Sequence, residues 1–163
     1  MATLFGQLHA HTKGLDLAQI VEKLGGKVHK GHDRCWKIPE GVAMEVIDGK
    51  PFISQDIGTG PRRNQFDIAH NIGHFVLHYN YRRMILGEHS LRVSAPRYGT
   101  DQSDREANYF ARVLIMPDTS YTEMYARFSG DHGRLSLHFN TLHSQSIVRA
   151  RELRLGSTSP ERS

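Results

Sequence analysis

Residues 66–74 read Phe-Asp-Ile-Ala-His-Asn-Ile-Gly-His, so that His70 and His74 stand four apart. On a helix this spacing puts both imidazoles on one face, where they can grip a single metal ion. In the hydrolytic pattern H-E-x-x-H, the residue after the first His is a glutamate that deprotonates metal-bound water. Here that place holds Asn71. An amide offers hydrogen bonds but no titratable group, so it cannot take the proton. The chain carries the ligand pair of a zinc site without its base.

Two histidines leave such a site incomplete, because catalytic zinc usually has three protein ligands and a water. The candidates for the third are Asp104 and Glu106. Asp104 has Asn108 four residues later on the same helical face, where an amide can orient a ligand from outside the coordination shell. Glu106 has the longer carboxylate but lies roughly opposite Asn108 on the helix. Ser103-x-x-Glu106 also fits a capping box, which would give Glu106 a helix-start role and no metal. Asp104 is preferred and Glu106 stays open. Asp67, one turn before Asn71, and His78, one turn after His74, are candidates for supporting a ligand ring. Asp67's short side chain and displaced position argue against its acting as a substitute base. The competing reading makes His70 and His74 core histidines that hydrogen-bond within the protein and hold no metal.

These residues must be presented by particular elements. Leu17, Ile20, Val21 and Leu24 have helical spacing and run into Gly25-Gly26, a left-handed stop. Val42–Ile47, Asp48-Gly49 and Pro51–Ile57 read as a hairpin around a type I′ turn, with Pro51 pointing to an edge strand. From Asn64, a good N-cap type, to about Tyr79 the pattern is apolar on nearly every side, predicting a central buried helix. His70, His74, His78, Asp67 and Asn71 share one polar stripe on it, and such a stripe must face a cleft, a metal or a hydrogen-bonding partner. Residues 80–100 are polar and Arg-rich with no clear period, predicting a long connection with at most one extra helical turn. A second buried helix runs from about Asp101 to Met116, ended by Pro117. Its small residues Ala107 and Ala111, like Gly73 on the first helix, allow close packing. Leu135, Leu137 and Phe139, then a break and Ser144 as N-cap before Ile147, Val148 and Leu153, predict a helix-turn-helix-like pair.

The expected fold is therefore α+β: a short antiparallel sheet packed on two buried helices, followed by a helical carboxy-terminal part over about 118–155. Residues 1–155 form one domain and 156–163 a frayed polar tail. At 163 residues, 38% hydrophobic and 23% charged, the chain is long enough for one real core and too short for two full domains. The net charge of +4 permits an acidic partner or weak nucleic-acid attraction but lacks the dense Lys/Arg blocks that would argue for it. Arg149, Arg151 and Arg154 on the last helix are the candidate phosphate contacts. The single Cys35 excludes an internal disulfide framework and an all-thiolate zinc site. No apolar run approaches membrane-spanning length, and the opening MATLFGQLHAHTKG has no apolar signal core, so a cytoplasmic soluble protein is expected.

With both helices in view, the chain resembles the ImmA/IrrE family of metallopeptidase-like proteins of prophages, mobile elements and stress-response loci. The resemblance rests on RRNQFDIAHNIGHFVLH at 62–78, EANYFARVLIMP at 106–117 and FNTLHSQSIVRARELRLG at 139–156, in the family's order. It implies a small zincin-like fold and, in active members, zinc-dependent cleavage of a helix-turn-helix transcriptional repressor. His70 and His74 become zinc ligands and the acid of the second helix the third. Asn71 stands where the family has its general base. Asp67 stands where a Thr is common, and Asp104 is a shortened form of the usual Glu.

Three functions follow as expectations. One is a degenerate regulatory protein that binds a repressor or other regulatory protein, taking an extended segment by strand addition beside the hairpin. Another is an active zinc peptidase that cleaves that repressor with an unorthodox base. The last is a nucleic-acid-binding module using the carboxy-terminal helices.

Overall fold

The computed structural model describes residues 16–30, 41–56, 58–88, 94–96 and 99–156. The chain divides into two compact units, Leu15–Ala111 and Arg112–Ser163 with Met1–Gly14. The tail after Gly156 and Cys35 lie outside the described residues.

In the first unit, helix α1 (Leu17–Lys23) begins at Asp16, whose carboxylate accepts the N–H groups of Ala18 and Gln19. It ends at Gly25 in the left-handed region, φ 79°. Strand β1 (Lys27–Lys30) follows, then β2 (Val42–Ile47) and β3 (Lys50–Gln55). Asp48 and Gly49 both have positive φ, 49° and 76°, the geometry of a type I′ hairpin turn.

The sheet is mixed. Its order is β1-β3-β2-β4, with β4 (Ser94–Pro96) antiparallel to β2 and β1 parallel to β3. Two expectations change accordingly. The sheet is not wholly antiparallel, and Pro51 lies on an interior strand. The tight turn makes Ile47 and Lys50 the first hydrogen-bonded pair, so Val46 and Pro51 fall in the alternate pair, whose N–H groups point away from each other. Pairing with β1 starts at Phe52, one residue later, so the N–H that proline lacks has no strand to meet. Both hairpin strands are flanked, so strand addition to a sheet edge would fall elsewhere than on the hairpin. Among the described residues the edges are β1 and β4.

Helix α2 (Pro61–Gly73) packs on α1 and β3. It starts three residues before Asn64, since Pro61 occupies the first helical position, where its fixed φ and missing N–H cost nothing. Asn64 instead binds back to Thr59 through its side chain. The helix does not stop at Gly73. It widens into a π-helical stretch, His74–Asn80, and narrows again into α3 (Tyr81–Ile85), with helical backbone angles at both junctions. After Tyr79, α3 supplies the extra helical turn that the sequence allows, while β4 is an element it does not predict. Phe66, Ala69, Ile72 and Phe75 are buried along this continuous helix, as are Met44 and Ile53 on the sheet.

Helix α4 (Gln102–Ile115) crosses α2 closely. A Cβ built on Gly73 would sit 3.1 Å from both the Cα and the carbonyl oxygen of Ala107. In the second unit, α5 (Asp118–Arg127), α6 (His132–His138) and α7 (His143–Glu152) follow. The last begins after Leu142 rather than at Ser144.

Its charges also differ from expectation. Arg149 is 1% exposed. Its guanidinium donates to the Met116 carbonyl at 2.9 Å and pairs with Asp118 and Glu152. It cannot reach a phosphate. Arg151 and Arg154 are exposed, but Arg154 sits past the helix end with φ 56°. The three arginines therefore do not form one phosphate-binding face. No helix among the described residues is long and apolar enough to cross a membrane.

Candidate metal centre

α2 presents His70 and its π-helical continuation presents His74, with the two Nε2 atoms 3.0 Å apart and the rings edge-on at 77°. From α4, Asp104 Oδ1 lies 3.6 Å from His70 Nε2 and 3.4 Å from His74 Nε2. These residues form the one three-ligand group of His, Cys, Asp or Glu among the described residues. Glu106 does not join it; its carboxylate lies 3.1 Å from His78 Nε2.

The protons decide what this triangle can do. Asn108 Oδ1 lies 3.0 Å from His70 Nδ1, and a carbonyl oxygen can only accept. His70 therefore carries its hydrogen on Nδ1 and turns a bare lone pair on Nε2 toward the cluster. Asp104 Oδ1 is buried and has no hydrogen-bond partner. The other oxygen, Oδ2, accepts the backbone N–H of Asp101 at 3.2 Å, while Asp101 accepts that of Asp104 at 2.9 Å. This reciprocal pair is a capping box. It falls on Asp101 and Asp104, and not on Ser103 and Glu106 as the sequence pattern allows; the Ser103 hydroxyl donates to Asp101 instead. Asp104 thus spends one oxygen on starting its helix and holds the other toward the two imidazoles.

Burial is what keeps both rings neutral. His74 is 3% exposed, and burial first, then its neighbours His70 and His78, push its pKa down to about 4. Burial also lowers His70, against an opposing effect from the Asn108 contact. It raises Asp104 for the same reason, since a charge loses its water. The His70 lone pair and an unpartnered Asp104 oxygen thus both face His74 Nε2.

A divalent ion fits that donor set. Tetrahedral zinc with bonds of about 2.0–2.2 Å holds its ligand atoms roughly 3.3–3.6 Å apart. The observed separations are 3.0, 3.4 and 3.6 Å.

Asn71, on the same stripe, is 2% exposed. Its Nδ2 donates to the Asp67 backbone carbonyl one turn back, at 2.8 Å, and its Oδ1 has no partner. Asp67 turns its carboxylate outward to Arg63 at 3.0 Å. Neither residue offers a base beside the triangle. His78 Nδ1 meets His74 Nδ1 at 3.1 Å, so it supports that ring from behind.

One contributor was missed from the sequence. A Cβ on Gly99 would overlap the Asp104 carboxylate, with Oδ2 only 1.9 Å away. The backbone before α4 closes directly over the acid, and only glycine leaves room. The signal was present as Gly99 two residues ahead of Asp101-x-x-Asp104.

Residues 40–149 match the model of the IrrE N-terminal-like domain. No curated protein and no solved structure matches the chain.

Proposed function

This chain belongs to the IrrE N-terminal-like domain family, and from that premise we propose that it is a zinc-binding regulatory protein on a metallopeptidase scaffold, disabled for catalysis. The observation that carries the reading is the convergence of His70 Nε2, His74 Nε2 and Asp104 Oδ1, the last buried without a hydrogen-bond partner. Bound there, zinc would supply Lewis acidity to a carbonyl and acidify a water. His70 and His74 would hold it as neutral imidazoles, Asp104 would supply the balancing charge, and Asn108 would orient His70.

Among the described residues, none on the Asn71 stripe supplies a general base beside the ligand triangle. Asn71 cannot accept a proton, and its amide is turned back to its own helix. Loss of that assistance costs on the order of 10²–10⁴ in rate. Binding survives such a loss, because sequestering a partner needs affinity and not turnover. The partner is a regulatory protein, with a helix-turn-helix repressor of the same phage or mobile element as the first choice.

The test begins with metal content of protein purified without an immobilised-nickel step. Near-stoichiometric zinc in the wild type, lost in His74→Ala, supports the site; equal trace metal in both would make the two imidazoles core residues. The zinc-loaded protein is then mixed with a helix-turn-helix repressor encoded beside it. The expectation is a stable complex without cleavage, and fragments only with Asn71→Glu. Chelator-sensitive fragments from the wild type would overturn the inactive reading in favour of an active peptidase.

A further inference from the structure

Behind the ligand His74 runs a chain of side chains that ends on the surface of α4. His74 Nδ1 meets His78 Nδ1 at 3.1 Å, and His78 Nε2 meets Glu106 Oε2 at 3.1 Å. Glu106 Oε1 accepts from Gln102 Nε2 at 2.8 Å. Gln102 is itself oriented, since its Oε1 accepts from Arg105 Nε and Nη2 at 3.2 and 3.0 Å. Each contact restricts the next. Arg105 can only donate, so Gln102 must turn its oxygen to Arg105 and its amide nitrogen to Glu106. Glu106 is left with Oε2 for His78.

We propose that Glu106 is a positioning residue for the metal centre: acting through His78, it fixes the tautomer of His74 so that the lone pair of Nε2 faces His70 and Asp104. A carboxylate accepts and cannot donate, so His78 carries its hydrogen on Nε2. The Nδ1 of a neutral His78 is then an acceptor, and His74 must donate to it from its own Nδ1. That leaves His74 Nε2 bare. Asn108 does the same for His70 in one step, whereas His74 needs two.

The helix geometry makes the relay possible. Four residues in an α-helix overshoot a full turn by about 40°, a drift that would add up over His70, His74 and His78. The π-helical stretch His74–Asn80 puts more residues in each turn, so four residues fall short of a full turn instead. His78 is thereby held behind His74, its ring 5.1 Å from that ring centre to centre.

The consequence for metal affinity rests on the zinc-binding reading above, while the tautomer does not, and this separates the two tests. Nitrogen NMR of the full-length, metal-free protein reports which ring nitrogen of His74 bears the hydrogen. The wild type should show His74 protonated on Nδ1. Glu106→Leu should shift it toward Nε2 or a mixture, and Glu106→Gln should keep the wild-type form, because a Gln carbonyl can still accept from His78. Glu106 is on the surface, its side chain 47% exposed, so both variants are expected to fold. Chelator competition should give about 10–100-fold weaker zinc binding for Glu106→Leu, the usual cost of losing an outer-shell partner, with Glu106→Gln restoring most of it. A wild-type His74 protonated on Nε2, or a tautomer unmoved in Glu106→Leu, overturns the inference. A tautomer that moves as expected in a protein that binds no zinc supports it and removes the zinc-binding reading instead.

Discussion

Arg149 and His74 are both almost wholly buried, yet their surroundings are matched in one case and unmatched in the other. Each guanidinium nitrogen of Arg149 finds an acceptor: the Met116 carbonyl, Asp118 and Glu152, the last also held by Arg112. Nearby in the same unit, the Tyr121 hydroxyl donates to the Ser146 carbonyl at 2.6 Å. Around His74 two imidazole nitrogens and a carboxylate oxygen crowd together, and Asp104 Oδ1 has nothing to accept from. A buried polar group without a partner normally costs about 1–3 kcal/mol, and more if charged. The first network stabilises the fold as it stands, whereas the second is a deficit that a cation would fill. Mutations should therefore act with opposite signs in the two places.

The largest effect is expected from Arg149→Leu. It leaves the Met116 carbonyl unpaired and Glu152 short of one cation, and should destabilise the protein by on the order of 3 kcal/mol, the lower end for breaking a buried pair because Asp118 stays in water. Urea denaturation measures it, and zinc should not rescue it.

A change of pH comes next. Folded His74 titrates near 4 and the unfolded residue near 6.5. Between those values the unfolded chain holds a proton that the native chain lacks, so metal-free stability should fall as pH drops from about 6.5 and level off below about 4. The ceiling is on the order of 3 kcal/mol. Asp104, raised by burial, takes up its proton first in the native state and offsets part of the fall. Denaturation midpoints at several pH values should show a flatter profile for His74→Gln. A profile as steep as the wild type's would remove His74 as the titrating group.

Asp104→Asn sharpens the contrast. The new amide can donate to the ring lone pairs while its oxygen keeps the Asp101 cap, so the metal-free protein should gain about 1 kcal/mol in a thermal melt. Gly99→Ala should destabilise the metal-free fold by about 1 kcal/mol, through loss of the Asp104 cap on the Asp101 N–H. Its Cβ displaces the Asp104 carboxylate, so weaker zinc binding in chelator competition is its clearer signature.

Much of this was legible in the sequence. The spacing of His70 and His74 and the face shared by Asp104 and Asn108 required only regular helices, and both helices form. Choosing between Asp104 and Glu106 required knowing where α4 starts. Asp101-x-x-Asp104 and Ser103-x-x-Glu106 are both capping patterns, and a shift of two residues exchanges their roles. The place of His78 beside the His74 ring followed from the shared stripe, but the π-helical stretch that carries it did not, because no residue type announces one. Arg149 was misplaced for a related reason: on a short helix rich in arginines, the one that turns inward is decided by acceptors distant in sequence, at Met116 and Asp118. Pro51 misled because a rule about edges is really a rule about which N–H groups need partners.

The most direct test of the unmatched cluster is the melting temperature of wild type and Asp104→Asn, each with and without zinc. Ligand at 100 times its dissociation constant stabilises by about 2.7 kcal/mol. Zinc should therefore raise the wild-type midpoint by several degrees and leave Asp104→Asn, already more stable without metal, unmoved. Equal shifts in both proteins, or none in either, would contradict the claim that His70, His74 and Asp104 form a site for a cation.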